Sequence, residues 1–135
     1  MSPREIALDH VQLTAPPGCE AAAREFYGRL LELPEIEKPP ALRADGGAWF
    51  ALGSGQIHIG VEQEFVPARK GHPALRVGGA RLDALAARLA EAGAPVDWDQ
   101  RIGGVRRFFT ADPWGNRVEF LAPADRPLPG ARGTA

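Results

Sequence analysis

Four side chains stand out among those that could bind a metal ion or transfer a proton. They are the three histidines, His10, His58 and His72, and the carboxylate of Glu119. Glu119 lies within the short apolar run 117–121, which predicts a buried strand. A carboxylate rarely enters an apolar setting unless it is paired or coordinates a metal. We therefore expect Glu119 to have a partner, and the histidines, each in a strand-like segment, are the candidates.

The composition is ordinary for a soluble globular protein. The 135 residues are 44% hydrophobic and 24% charged, and the net charge is −1. Without a long basic run, we expect no binding to nucleic acid or to an anionic membrane. A single cysteine excludes an internal disulfide and fits a reducing compartment. Neither a bilayer-length apolar run nor a signal-peptide pattern is seen, so we expect a cytoplasmic protein.

The hydrophobic pattern predicts the same order of elements twice: a strand, a helix and three further strands. In the first half these are residues 5–14, the helix 19–33, a short edge strand near Ile36, 48–52 and 56–62. In the second half they are residues 72–77, the helix 81–92, 94–98, 105–111 and 117–121. We expect one domain over residues 1–122, with module one at about 5–64 and module two at about 71–122. Residues 123–135, rich in proline and glycine, predict a flexible tail.

Equivalent residues indicate that the two halves are an internal duplication. His10 and His72 lie in the first strand of each half, 62 residues apart, and His58 and Glu119 lie in the last strand, 61 residues apart. Two anchors with nearly the same offset are difficult to ascribe to chance. If a pseudo-twofold axis relates the halves, the four side chains converge on it.

Two segments resemble motifs of a known family. Residues 112–120 read D-P-W-G-N-R-V-E-F, which matches a D-P-x-G-N-x-[IV]-E-[FL] closing motif. Residues 26–33 are similar to an F-Y-x-x-x-L-G-L run, with Glu32 in place of the usual glycine. The chain thus resembles the vicinal oxygen chelate superfamily of glyoxalases, bleomycin-resistance proteins and extradiol dioxygenases. The resemblance implies an α+β fold: two tandem βαβββ modules forming a curled eight-stranded mixed sheet around a central metal cleft.

The resemblance also implies a metal site. By position, the family's ligands correspond to His10, His58, His72 and Glu119, although the position of His58 usually holds an acid in glyoxalase I. Imidazoles with one carboxylate suit a borderline divalent ion such as Zn, Ni, Fe or Mn. A substrate with two adjacent oxygens would complete the coordination, and the ion would act as a Lewis acid. For His58 the alternative is a hydrogen-bonded role beside the ligands.

Candidate catalytic and substrate-binding residues follow from strand parity. Glu119 or Glu62 is the candidate base. Gln12, Arg76 and Arg117 share parity with the proposed ligands, so we expect them in the same cleft. Two adjacent aromatic pairs flank the cleft, Trp49 with Phe50 and Phe108 with Phe109. The predicted contacts are Phe50 and Phe108. Arg106 and Arg107 are expected at the surface, with a lid or an anion contact as the alternative.

The resulting functional hypothesis is a metal-dependent enzyme that acts on a small vicinal-oxygen substrate, of the lyase, isomerase or dioxygenase type, in a homodimer. A second hypothesis is a metal-free protein that sequesters an antibiotic in an aromatic cleft, as bleomycin-resistance proteins do. A third is a thiol transferase of the fosfomycin-resistance kind. The superfamily keeps one scaffold while changing its chemistry, so the fold does not choose among these hypotheses.

Overall fold

The structure is a computed structural model that describes residues 5–123. Module one contains β1 (His10–Ala15), a helix that begins as α1 (Glu20–Ala23) and continues as a π-helix (Arg24–Leu30), β2 (Glu35–Ile36), a 3₁₀ helix (Pro40–Asp45), β3 (Ala48–Leu52) and β4 (Gly55–Val61). Module two contains β5 (Ala74–Arg76), α2 (Gly79–Glu91), β6 (Asp97–Asp99), β7 (Val105–Ala111) and β8 (Arg117–Pro123). Between residues 5 and 123, no helix has the length and apolarity needed to cross a membrane.

Each module forms a four-stranded mixed sheet of the same topology. The strand orders are β1-β4-β3-β2 and β5-β8-β7-β6. In both sheets the first strand pairs in parallel with the last, and the other pairings are antiparallel. The predicted α+β fold of two tandem βαβββ modules is confirmed. Across residues 5–123, however, the eight strands form two separate sheets and not one curled sheet.

One face of each sheet is covered by the helix of its own module. Along β4, Ile57 and Ile59 are 0% and 1% exposed and belong to the core. The helix α2 contributes its stripe of Leu82, Ala86 and Leu89, which are spaced at three and four residues. Burying a leucine side chain contributes roughly 1.5–3 kcal/mol to folding, so these stripes hold the helices on the sheets. The opposite face of each sheet is left for the predicted site residues.

The end of the first helix explains a departure from the family motif. Glu32, in the position of the usual glycine, follows the helix with a backbone φ of 60°, in the left-handed region. This conformation is unfavourable for a residue with a Cβ atom. The Glu32 carboxylate accepts hydrogen bonds from Arg81 (2.7 Å) and Arg88 (2.8 Å) of α2. Glu32 therefore links the two modules, which a glycine would not do.

Several predicted boundaries shift by a few residues. The predicted strand 72–77 is shortened to β5, so His72 lies just before the strand, separated from it by Pro73. Proline has no N–H to donate to a sheet, which delays the start of the strand. The predicted helix 19–33 is regular only over its first turn and then becomes the π-helix. Residues 124–135 of the predicted tail lie outside the described residues, and Pro123 is the last residue of β8.

Candidate metal centre

The register of β5 and β8 brings two of the predicted ligands together. Ala74 pairs with Glu119 in the parallel ladder, so the neighbouring His72 reaches the same carboxylate. The distance from His72 Nε2 to Glu119 Oε1 is 3.0 Å. Two ligands bonded at right angles to one ion, each at ~2.1 Å, are themselves about 3 Å apart. The pair is therefore spaced as two neighbouring ligands of one metal ion.

The proton positions on His72 also suit a metal ligand. His72 Nδ1 lies 2.9 Å from the carbonyl oxygen of Lys70, which can only accept, so Nδ1 carries the proton. This leaves Nε2 with a lone pair in the neutral ring, pointing at Glu119. A lone pair and a carboxylate oxygen do not attract each other, so a proton or a cation must lie between them. A histidine that donates its other N–H to a carbonyl is typical of metal sites.

The Glu119 carboxylate is held on its second oxygen by an arginine. Arg107 Nη1 donates to Glu119 Oε2 over 3.1 Å, and Arg107 Nη2 lies 3.3 Å from Asp99 Oδ1. The side chains of Arg107 and Glu119 are only 13% and 7% exposed. Hydrogen bonds from Arg101 lower the pKa of Asp99 well below its ordinary value, which keeps this carboxylate charged. The expectation that Arg107 lies at the surface is wrong, because Arg107 shares the β7 face of Phe109, next to Glu119.

The other two histidines form a ring stack on the first sheet. His58 lies between Trp49, with ring centroids 3.7 Å apart, and His10, at 4.1 Å. His10 Nδ1 is 2.8 Å from Asp9 Oδ2, an oxygen that accepts, so Nε2 of His10 is left with its lone pair. His58 Nε2 lies 2.7 Å from Gln56 Oε1. Burial, with His10 next to it, lowers the pKa of His58, so this ring is neutral near pH 7.

The four predicted ligands do not converge within one chain. Across residues 5–123, no group of three or more histidine, cysteine, aspartate or glutamate side chains is close enough to hold a metal ion. The structure instead holds two separate pairs, His10 with His58 on the first sheet and His72 with Glu119 on the second, each of which is a candidate half-site. The expected convergence on a pseudo-twofold axis is therefore not seen in the single chain, because the two sheets are separate.

Strand parity decides where the predicted substrate-binding residues lie. Phe50 pairs with Ile57 on the core face of the first sheet and is 0% exposed. Phe108 pairs with Phe120 on the core face of the second sheet and is also 0% exposed. Neither ring reaches the site face, which corrects the prediction that they contact a substrate. Their neighbours Trp49 and Phe109 lie on the site face, where Trp49 pairs with His58 and Phe109 with Glu119.

The predicted polar contacts lie on the site faces. Gln12 covers Gly60, where an added Cβ would be only 2.6 Å from the Gln12 amide nitrogen, so this glycine makes room for the glutamine. The Arg117 guanidinium lies 3.9 Å from the centroid of the Phe109 ring. Arg76 is half-buried in β5. Gln12 thus lies on the first sheet, whereas Arg76 and Arg117 lie on the second.

Glu62, the alternative candidate base, lies just past the end of β4 and is exposed. Its Oε1 accepts a hydrogen bond of 2.8 Å from the Thr14 hydroxyl. It also shares the face of His58 and Gly60, four residues along the strand from the histidine. Glu62 is thus on the correct side of the sheet but at the far end from His10.

An open cavity of about 580 Å³ adjoins the ring stack. Gln12, Trp49 and Gly60 line it, and Lys38 brings a positive charge to the same cavity. Sequence reasoning missed Lys38, because it lies in an irregular segment with no strand pattern to orient it. The cavity is large enough for a small organic molecule.

Comparison with solved structures identifies the family. The chain is similar to a glyoxalase family protein from Bacillus anthracis, with 44% identity over 91% of this chain and 99% of the other and a TM-score of 0.84. This match shows that the chain belongs to the glyoxalase family of the vicinal oxygen chelate superfamily. No protein-family model matches the sequence, and no functionally curated protein matches it.

Two more distant structures share the fold. A lactoylglutathione lyase from Agrobacterium tumefaciens is 22% identical, with a TM-score of 0.70 over 91% of this chain and 97% of the other. The fosfomycin resistance protein FosX from Listeria monocytogenes, in complex with Mn(II) and 1S,2S-dihydroxypropylphosphonic acid, is 18% identical, with a TM-score of 0.72 over 86% and 91%. At these identities the likeness concerns the fold alone.

Proposed function

We propose that the protein is a metal-dependent enzyme that acts on a small substrate with two adjacent oxygens. The observation that carries the proposal is the His72–Glu119 pair, in which Nε2 and Oε1 lie 3.0 Å apart and His72 Nδ1 is committed to a backbone carbonyl. The Mn(II) in FosX, which has the same fold, supports a divalent ion. The two-histidine, one-carboxylate set of His10, His72 and Glu119 suits Fe, Ni, Zn or Mn.

Two copies of the chain would complete the site. Within the described residues of one chain, each sheet carries only two of the four candidate ligands, and a metal site of two protein ligands is weak. A homodimer in which the first sheet of one copy faces the second sheet of the other would bring His10 to His72 and Glu119. Twofold symmetry would then give two equivalent sites.

Each residue has a role in this proposal. His10, His72 and Glu119 hold the ion, and His58 stacks on His10 and fixes its ring. Gln12, Lys38 and Arg117 contact the substrate, whose oxygens lie between the two sheets. Glu119, or Glu62 at the edge of the same face, accepts a proton. The bound ion supplies Lewis acidity toward the two substrate oxygens, which serves both lyase or isomerase chemistry and dioxygenase chemistry.

The first experiment is a metal titration of chelator-treated protein with Co²⁺, Ni²⁺, Zn²⁺, Mn²⁺ and anaerobic Fe²⁺. We expect about one ion per chain for the wild type and loss of at least ~100-fold in affinity for His72→Ala and Glu119→Gln. Arg106→Met, which changes an arginine on the opposite face of β7, is the matched control and should bind as the wild type. Equal binding by all four proteins, or by none, would contradict the proposal.

The tightest-binding ion then selects the activity assay. Iron directs the search to oxygen uptake with catechols, and nickel or zinc directs it to adducts of 2-oxoaldehydes and to epimerisation. The antibiotic-sequestering alternative keeps only Trp49 and Phe109 as aromatic contacts, because Phe50 and Phe108 lie in the core. A thiol transferase of the fosfomycin kind uses the same three ligands, and its assay belongs in the same series.

A further inference from the structure

Two consecutive arginines of β7 have opposite environments. Arg106 lies on the helix side, where it is 56% exposed and pairs with Asp83 of α2. Arg107 lies on the site side, where it is 13% exposed and lies between the carboxylates of Asp99 and Glu119. An exposed ion pair such as Arg106–Asp83 contributes little to stability. Arg107 is different, because its partners are almost completely withdrawn from water.

The contacts of Arg107 fix the direction of the Glu119 carboxylate. Arg107 Nη1 donates a hydrogen bond of 3.1 Å to Glu119 Oε2, and the other carboxylate oxygen, Oε1, lies next to His72 Nε2. The other terminal nitrogen, Nη2, lies 3.3 Å from Oδ1 of Asp99, the cross-strand partner of Arg107 on β6. The ring of Phe109 lies 5.1 Å from the guanidinium and limits its movement. The guanidinium is therefore held at both terminal nitrogens and along one face.

Stability alone does not account for this arrangement. Arg107 Nε is buried without a hydrogen-bond acceptor in the part of the chain that the structure describes. A buried, unpartnered N–H costs stability, and such groups in native proteins are often found where function requires them. Replacing the buried charges together by apolar residues of similar volume would avoid that cost, whereas removing Arg107 alone would leave the carboxylates of Asp99 and Glu119 without their shared partner. The orientation that the arginine imposes on Glu119 gives a reason for keeping it.

We infer that Arg107 is a positioning residue for the metal centre. It holds Glu119 Oε2 and so presents Oε1, together with His72 Nε2, as one half of the ligand set. Asp99 supports this role by holding the guanidinium from the other side. The inference rests on the proposed function for its purpose, but the positioning of Glu119 is a property of the metal-free protein and can be measured there.

The test compares Arg107→Met and Arg107→Lys with the control Arg106→Met. Methionine keeps much of the buried volume without any donor, and lysine keeps the charge without the two-pronged geometry. The first readout is the ¹⁵N chemical shifts of the His72 ring in metal-free protein, each variant compared with the wild type. The second is the affinity for Co²⁺ and the visible spectrum of the bound ion, which reports its ligand geometry.

A positioning role predicts that both Arg107 variants change the His72 nitrogen shifts, weaken Co²⁺ binding by at least ~10-fold and alter the Co²⁺ spectrum. Arg106→Met should match the wild type in all three respects. If Arg107→Lys behaves as the wild type while Arg107→Met binds Co²⁺ more tightly, the arginine contributes charge only and the inference is wrong. It is also wrong if neither variant moves the His72 shifts.

The two proposals fail in different ways. If the wild type binds no Co²⁺ but the Arg107 variants shift the His72 signals, the metal-dependent function is lost and the positioning of Glu119 stands. If Arg107→Met does not fold, Arg107→Lys carries the test, because it keeps the buried positive charge between the two carboxylates.

Discussion

At the scale of single residues, the two halves also match in which ring nitrogen of the equivalent histidines is hydrogen-bonded. His10 and His72 occupy equivalent positions, and each has its Nδ1 next to an oxygen from a residue one or two positions earlier in the chain. In both rings this leaves Nε2 for the site.

The single tyrosine of the chain offers a direct test of the packing between the modules. Tyr27 is 0% exposed, and its hydroxyl donates to Asp112 Oδ2 over 2.7 Å. Burial, together with the nearby Asp112, raises the pKa of Tyr27 well above its ordinary value. The native state should therefore keep this proton at pH values where the unfolded chain has already lost it.

Stability should consequently fall with rising pH above about 10, where an unfolded tyrosine titrates. The contribution of one proton is ~1.4 kcal/mol per pH unit, and Tyr27→Phe should lack this part of the slope. The measurement is denaturant unfolding at several alkaline pH values, with tyrosinate absorbance recorded in parallel. Tyrosinate absorbance that rises in the native protein near pH 10 would contradict the buried hydrogen bond.

Parity also explains which site residues could be predicted. The type and spacing of His10, His72 and Glu119 were enough to select them as candidate ligands. The choice between Arg106 and Arg107, or between Phe108 and Phe109, depends on which face of β7 packs on α2. Alternation along a strand gives two registers and does not choose between them. The sequence prediction therefore missed Arg107 and took the wrong aromatic residue in each pair.

At the scale of elements, the closing motif is a structural joint. Asp112 accepts hydrogen bonds from the backbone of Trp114 and Asn116 and from Tyr27. The Asn116 side chain donates to the Thr14 carbonyl and accepts from the Ala68 amide. The turn between β7 and β8 thus connects β1, the first helix and the segment between the modules. Its role is to set β8, and with it Glu119, in register.

Removing this joint should weaken the whole fold. Asn116→Ala leaves the Ala68 N–H and the Thr14 carbonyl without their partner, and Asn116 is only 1% exposed. Each buried group that loses its partner costs roughly 1–3 kcal/mol, so we expect the free energy of unfolding to fall by at least ~2 kcal/mol. Urea denaturation measures this change, with the exposed Gln100→Ala as control. A change within the error of the control would show that the joint is dispensable.

The irregular elements were beyond prediction from the sequence for a related reason. The apolar spacing of residues 19–33 predicts a helix and does not distinguish an α-helix from the π-helix of Arg24–Leu30. The strands β3 and β7 agree with their predicted bounds, because apolar runs ended by glycine turns are unambiguous. Lys38 lies between β2 and the 3₁₀ helix, where no periodic pattern applies.

At the scale of the whole molecule, the chain is built as two similar halves, each of which carries one pair of the candidate ligands. The modules are joined by Tyr27–Asp112, by Asn116 with Thr14 and by Glu32 with the arginines of α2. These contacts fix the halves in an arrangement that keeps the two pairs of ligands apart. The proposed homodimer resolves this separation without moving either module.

The most direct test of a shared site is complementation between two defective chains. His10→Ala and Glu119→Gln each remove one ligand from a different half-site, so neither protein alone should bind metal. In a mixed dimer, the intact second module of the His10→Ala chain faces the intact first module of the Glu119→Gln chain. Equal mixing with random pairing should then restore about one quarter of the wild-type metal content, measured after co-refolding and removal of free metal. If a demonstrated mixed dimer recovers no metal content, the site is not shared between two chains and the account is contradicted.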